Sequence, residues 1–363
     1  MSNFLDKLWS GNLVFEEPVC FTELDDSVYI GGNLLYAPTE ILKVTSSEGT
    51  LLYEINKDYE LEGSKIIRTK NSLIPFLSRD LYCRPYIEEA DTAWIRLADQ
   101  KRYIKVFPEI TNYQVLVTYR HDGQWSGSVP CDQSALLPHS LKKLTTKESF
   151  RLVFYGDSIT AGWEASGYDE TVIDMVTLKE LHIKNSKSPF MPAWAELVTA
   201  TLKSHYNHTN IIKINRGAGG STSSWGSEHA AALVNHQQPD LVILAFGMNN
   251  MQVKPDKYKN DILRIITTIR SANPNCEFLL LSPMIPNPEI YGFMDNKLSE
   301  HQQCLYLIQQ SLPGIAVAPV HTLFLDLVQR NKHYLELTGN CINHPNDFSI
   351  RAYAQTILSC LGI

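Results

Sequence analysis

Beyond Phe150 the chain alternates short, nearly continuous apolar runs with longer stretches whose apolar residues return every three or four positions. RLVFY (151–155), IIKIN (211–215), DLVILAF (240–246), CEFLLLS (276–282) and GIAVAPV (314–320) have the length of strands buried on both faces. PAWAELVTATLKSHY, PDKYKNDILRIITTIRSA, NKLSEHQQCLYLIQQS and the final DFSIRAYAQTILSCL carry helical periodicity. This alternation predicts βαβ units, hence an α/β fold with a parallel sheet covered by helices on both faces. In such sheets the active site lies at the carboxyl ends of the strands.

The region before about residue 147 follows another pattern. SVYIGG, EILKVTS, TLLYEIN, KIIRT, AWIRLA, RYIKVF and YQVLVTYR are rich in β-branched and aromatic residues and are separated by turn-like stretches such as SSEGT and HDGQWSGS. They predict an antiparallel β-sandwich or jelly roll over residues 1–147, followed by the α/β domain over 148–363. The junction, LLPHSLKKLTTK, has none of the Gly/Ser or Pro richness of a flexible linker, so the front region is expected to sit fixed against the rest.

Composition narrows the function. A chain of 363 residues fits about two domains, each large enough for its own core. Its formal charge of −7, from 32 basic and 39 acidic residues, speaks against nucleic acid as a partner. No apolar stretch approaches the ~18 residues of a membrane helix, and the acidic N-terminus does not read as a secretory signal. The seven scattered cysteines show no CxxC spacing, which fits thiols in a reducing compartment and predicts neither a zinc site nor a disulfide framework. The expectation is a cytoplasmic enzyme, with self-association left open.

Chemistry-bearing residues follow the strands. After RLVFY comes GDSITAGW with Ser158, after IIKIN comes RGAGGSTSSWG, after DLVILAF comes GMNNM, and before the last helix comes NHPNDF with His344. A nucleophile, a base and donors for a developing oxyanion are the requirements of acyl transfer. The glycine-rich turn fails as a dinucleotide fingerprint, because G-x-G-x-x-G read from Gly217 ends on Thr222. Neither a phosphate-binding loop nor a G-x-S-x-G elbow occurs. The plainer alternative makes Asn249 a turn residue and His344 a helix-entry residue, with Asp347 capping the last helix.

In order and context these blocks resemble the SGNH (GDSL-type) serine hydrolases over nearly all of residues 150–363. The resemblance implies a flavodoxin-like catalytic domain with Ser158 as nucleophile and His344 as base. It assigns the oxyanion hole to the amides of Ser158 and Gly220 and the side chain of Asn249, and it requires no metal or organic cofactor. Gly217 and Gly219 lie in the same turn as Gly220. One departure stands out: where the family places an aspartate three residues before the histidine, this chain has Cys341, a poor acceptor for an imidazole N–H. A backbone carbonyl near Cys341 (giving a Ser–His dyad), Asp347, Asn340 or Asn343 are the alternatives for orienting His344. Asn250, where the family carries an acid, reads as structural.

The β-rich front region resembles the architecture of two-domain carbohydrate acetylesterases. Trp163, Tyr168 and Trp225 are rim aromatics on which a sugar could stack, or ordinary packing residues. Segment 164–189 reads as a substrate-shaping loop or a surface excursion, too polar for a lipase lid. The expected activity is hydrolysis of short-chain acyl esters, acetyl first, on small-molecule or oligosaccharide substrates. The alternatives are a lipase or thioesterase of the same fold, or a non-catalytic carbohydrate-binding protein on an esterase scaffold.

Overall fold

The computed structural model describes residues 5–25, 28–85, 94–293 and 295–363. Its centre is a parallel sheet in the order Ile211–Gly217, Phe150–Gly156, Leu241–Ala245, Glu277–Leu281, Ile315–Ala318, so chain order reads 2-1-3-4-5 as in flavodoxin-like sheets. All of the apolar runs expected as parallel strands are in it. Their side chains divide by alternation. Leu152 and Phe154 join the core on one face with Trp194, Phe324 and Tyr353, whereas Val153 and Tyr155 join the other with Val242, Phe278, Ile262 and Ile266.

The periodic segments form the helices Trp194–His205, Pro255–Ala272, Leu298–Ser311 and Asp347–Cys360. Ser223–Leu233 and Val320–Gln329 are further helices that the pattern did not announce. The first is built of small residues with a weak apolar stripe and is started by the Thr222 side chain, which accepts from Trp225 N. Segment 164–189 is an antiparallel hairpin, Gly167–Ile173 with Glu180–Ser186, joined to the sheet edge by a bridge between Ile173 and Ala218. The cap of the last helix is Asn346, accepting from Ser349 N at 3.0 Å, while Asp347 accepts from Ser166 N.

The front region is antiparallel, as expected. Its described strands make small sheets of two or three strands, the largest ordered Leu13–Cys20, Gln114–His121, Pro38–Thr45, and they do not form an eight-strand jelly roll. TLLYEIN contributes only isolated bridges, and the first residue each of SVYIGG and AWIRLA lies outside the described residues. The junction is itself helical, Pro138–Thr146, with the backbone N–H groups of His139 and Ser140 donating to the Glu277 carboxylate. Among the described residues no disulfide forms and no helix is long and apolar enough to cross a membrane.

Front region and parallel sheet share their packing. One continuous apolar cluster runs from Val14, Val19, Val117 and Tyr119 to Phe154 and Tyr353. The helix Asp347–Cys360 is buried along almost its entire length, and its polar residues bond outward: Arg351 Nη2 to Phe15 O and Glu16 O, Gln355 Nε2 to Asp6 O. Gln133 pairs with the outer strand like a peptide group, donating to Val317 O and accepting from Val317 N, which shields an open sheet edge.

The strongest tie is ionic. A bulge between Val14 and Glu17, with Glu16 at φ 46°, precedes the buried Glu17. Lys332, equally buried, binds Glu17 at 2.9 Å and Glu336 at 3.0 Å and donates to Pro18 O and Asn33 O. Burial opposes its charge, but the two carboxylates outweigh burial and hold its pKa above the ordinary lysine range. Lys332→Met would leave two carboxylates facing each other without a cation. It should destabilise the protein by about 3–5 kcal/mol, read from the midpoint of urea unfolding. A loss under about 1 kcal/mol, the worth of a surface pair, would deny the cluster that role.

Candidate active site

Ser158 stands where the Phe150–Gly156 strand turns into a one-turn helix, Ser158–Ala161. Asp157 caps that turn, its Oδ1 accepting from Ile159 N at 3.0 Å, and Gly162 closes it at φ 95°. Burial pushes the Asp157 carboxyl up to about 7, against hydrogen bonds from Ile159, Met248 and Thr160. The turn packs so tightly on its neighbours that Gly156 has no room for a Cβ between Thr160 Oγ1 and Ala245 O.

His344 arrives from the loop before the last helix. Its Nε2 lies 2.7 Å from Ser158 Oγ, and both residues are buried. Nδ1 lies 2.7 Å from Asn340 Nδ2. The Asn340 carbonyl oxygen meanwhile accepts from the backbone N–H groups of Ile342 (2.9 Å), Asn343 (3.0 Å) and His344 (3.1 Å). Those donors fix the amide so that its nitrogen faces the imidazole, and Nδ1 is then the acceptor. Of the alternatives left open by sequence, Asn340 is the one in contact with Nδ1.

Cys341 is core filling, buried at φ 69°. Its carbonyl accepts from Asn287 Nδ2 at 2.8 Å, whereas the hydrogen-bond contact at His344 Nδ1 is with Asn340. A residue that sequence reading missed does approach: Glu164 Oε1 is 4.0 Å from Nδ1. Burial depresses His344 to about 4 and pushes Glu164 up to about 7. The only sequence signal for Glu164 is its place six residues past Ser158, and such proximity on the chain says nothing of direction in space.

The loop carrying His344 is held from the front region. Phe107 N donates to Asn340 O, Gln114 Nε2 donates to Leu335 O and Thr338 O, and Asn346 Nδ2 donates to Gln114 Oε1.

The glycines of the RGAGG turn differ in surroundings. A Cβ on Gly217 would strike the backbone of Ala161, and one on Gly219 would meet the Trp163 ring at 2.7 Å. Gly220, at φ 77°, faces open space up to Met175 Sδ at 3.9 Å. Asn249 Nδ2 donates to Ser221 O at 2.9 Å, which leaves its second hydrogen uncommitted. Asn250 bonds Ser223 through both ends of its amide, as a structural residue would.

Trp163 is 38% exposed, and its ring lies edge-on to His344 with centroids 5.7 Å apart. Trp225 binds the hairpin tip, Nε1 donating to Met175 O at 3.3 Å. Tyr168 is not on the rim; at 6% exposure it packs inside. Among the described residues no group of three or more His, Cys, Asp or Glu is placed to hold a metal.

A parallel sheet of this order with a serine–histidine contact at its carboxyl edge is a hydrolase arrangement. Residues 154–348, more than half of the chain, match the GDSL-like lipase/acylhydrolase family. The chain belongs to that family and is a carboxylic ester hydrolase. It is similar to the solved structure of Axe2, an acetylxylan esterase from Geobacillus stearothermophilus, at 17% identity and a TM-score of 0.46, over 59% of this chain and 94% of that one. It is similar to LAE5, an alpha/beta hydrolase enzyme from the metagenome of Lake Arreo, Spain, at 20% identity and TM-score 0.45, over 59% and 95%. A two-domain esterase active on acetylated mannans matches at 20% identity and TM-score 0.49, over 65% of this chain and 55% of its own. No curated protein matches the sequence.

Asn340→Ala would strip the acceptor from three backbone N–H groups at once. It should cost about 1–3 kcal/mol of stability, seen as a lower thermal midpoint, together with a more than tenfold loss of esterase activity, on the order of the penalty for a misplaced base. Unchanged stability and activity would show that the loop keeps its shape without the amide.

Proposed function

We propose that the protein is a serine esterase that removes short acyl groups, acetyl first among them, from carbohydrate esters. The observation that carries the reading is the 2.7 Å contact between Ser158 Oγ and His344 Nε2 at the carboxyl edge of the sheet. In this mechanism Nε2 takes the hydroxyl proton as Oγ attacks the ester carbonyl. The tetrahedral oxyanion is received by the amides of Ser158 and Gly220 and by the uncommitted hydrogen of Asn249. Collapse breaks the bond to the alcohol, whose oxygen takes the proton from Nε2, and water frees the acyl group by the same steps in reverse. Loss of one oxyanion donor typically costs ~10²–10³ in rate.

Residues 148–363 form the catalytic part of this reading, and residues 1–147 are an accessory region bearing on the loop of His344. Support for a sugar alcohol comes from the exposed Trp163 ring beside His344, a surface on which a pyranose face can lie. Trp225, tied to the hairpin tip, is the second such ring. The hairpin tip favours a second reading, an esterase for longer acyl chains, because Met175 and Val176 are 37% and 84% exposed there and Met175 faces Gly220.

Ser158→Ala should abolish hydrolysis of 4-nitrophenyl acetate and leave the melting temperature within about 1 °C, because one hydroxyl at this site contributes little to stability. His344→Ala should fall to a similar floor, since nucleophile and base act as one unit. Substantial turnover by pure Ser158→Ala would overturn the mechanism.

Along acetate, butyrate and octanoate esters of 4-nitrophenol, kcat/KM should fall. A groove for long acyl chains would instead gain up to ~0.8 kcal/mol per buried methylene. A rise through octanoate would therefore select the second reading.

A further inference from the structure

The reaction proposed above needs a proton on Nδ1 of His344 and a lone pair on Nε2. The contact with Asn340 favours the opposite tautomer. Its Nδ2 donates to Nδ1, which leaves the ring proton on Nε2, facing Ser158 Oγ. An imidazole so placed cannot accept the serine proton. A proton on Nδ1 needs an acceptor; the Cys341 thiol points to Phe107 O, and the hydrogen bond its carbonyl makes is with Asn287 Nδ2.

We propose that Glu164 is the positioning carboxylate of this site, accepting the Nδ1 hydrogen bond of His344 in the reacting enzyme in place of the aspartate that Cys341 replaces. The inference rests on the serine–histidine reading. Glu164 Oε1 is 4.0 Å from Nδ1, with the side chain 23% exposed. Reaching hydrogen-bond length, about 2.8 Å, takes a shift of roughly 1.2 Å, within the reach of a side-chain rotation. The backbone is arranged for it. Glu164 is held at φ 70°, a costly conformation for a non-glycine residue. Its stem crosses Gly339, where a Cβ would come within 2.6 Å of Glu164 Cβ. Glycine at 339 thus leaves the path for Glu164 alongside the histidine loop. Among the described residues no hydrogen bond ties the carboxylate, which borders a cavity and feels the Lys187 ammonium across it.

The protons balance as follows. Exchange with water moves the single ring proton from Nε2 to Nδ1 once ionised Glu164 is there to receive its hydrogen bond. The ring turns from Asn340, whose amide keeps Asn343 Oδ1 at 3.4 Å. Nε2 then takes the serine proton as the Oγ–carbon bond forms. The resulting imidazolium stays paired with Glu164 until Nε2 passes that proton to the departing alcohol.

Charged groups facing Glu164 come from every side: Lys187 after the hairpin, Glu109, Glu16 and Glu48 from the front region, and Asp347 and Arg351 of the last helix. Its carboxyl is pushed up to about 7 by burial, so the acid limb of kcat/KM should lie near that pH. His344 alone, depressed to about 4, would place it lower.

The test is Glu164→Gln and the double variant Glu164→Gln/Asn340→Asp, assayed for 4-nitrophenyl acetate hydrolysis from pH 4 to 9 beside wild type and Ser158→Ala. In Asn340→Asp one oxygen keeps the three backbone N–H groups, and the other stands where Nδ2 lay 2.7 Å from Nδ1. Glu164→Gln should lower kcat by roughly 10² or more, toward the ~10⁴ that a carboxylate-to-amide change costs in a Ser–His–Asp triad. KM should stay within about threefold, as expected for a transition-state effect. The acid limb should move down from near 7, the melting temperature should hold, and the double variant should recover at least tenfold of the lost rate, on the order of one correctly placed partner. A Glu164→Gln enzyme with near-wild-type kcat overturns the assignment. So does a loss with an unmoved limb and no recovery, which marks a structural role. The wild-type limb is readable without any variant, and one near 4 also overturns it. Activity in Ser158→Ala would instead sink the underlying serine mechanism, whatever Glu164 does.

Discussion

Lys332, closed off from water and shared between Glu17 and Glu336, is the constraint on which the rest of the molecule turns. Glu17 belongs to the front region, whereas Lys332 and Glu336 lie on the segment that leads into the histidine loop. A buried cation has no low-energy place except between its carboxylates, so the two regions are set in one relation. Glu336 adds to this by accepting from Cys20 N and Gly32 N, and Glu17 by accepting from Leu35 N and the Tyr119 hydroxyl. With that relation fixed, Gln114 and Phe107 reach the loop that presents His344. A contact between residues 186 apart in sequence is thereby held to hydrogen-bond length.

Burial that gives this precision also weakens the histidine as a base. Removed from water and carrying no paired charge, the imidazole resists protonation, and its pKa falls to about 4. In the proposed mechanism a base that weak takes a serine proton at a high cost unless a carboxylate draws near as the charge forms. Glu164, itself reluctant to ionise in its pocket, gains from the same approach. Two groups that are each unfavourable when charged alone become favourable as a pair.

The parallel sheet was legible because each strand buries both faces, so its apolar run is unbroken and its length diagnostic. Pro255–Ala272 was legible from its stripe of isoleucines with Pro255 in the first turn. Ser223–Leu233 was not, because small residues packed under the sheet leave little periodicity. Ser158, Gly220 and Asn249 stand out as candidates because each follows the carboxyl end of a strand, and His344 because it sits just before the last helix; their roles come from the family resemblance. Tyr168, left open as rim or packing residue, packs inside; a tyrosine in a mixed polar segment reads the same whether it faces solvent or core. Glu164 was invisible, and the choice of Asn340 among the candidates beside His344 was not decided, for a different reason: each depends on the path of a loop in space, which no local pattern encodes. The front region was legible only as antiparallel β, because short strands with bulges do not state which partner they pair with.

The enclosed helix Asp347–Cys360 has a consequence for how the molecule comes apart. It forms one wall of the hydrolase core, yet the groups that satisfy Arg351 and Gln355 belong to the first residues of the chain. Neither part can melt and leave the other with its polar groups satisfied and its apolar surface covered. Denaturation should therefore be a single cooperative event, with no half-folded species in which the catalytic sheet stands alone. Residues 6–16 and the helix Asp347–Cys360 close on each other, so that helix completes a core which the strand Leu13–Cys20 begins.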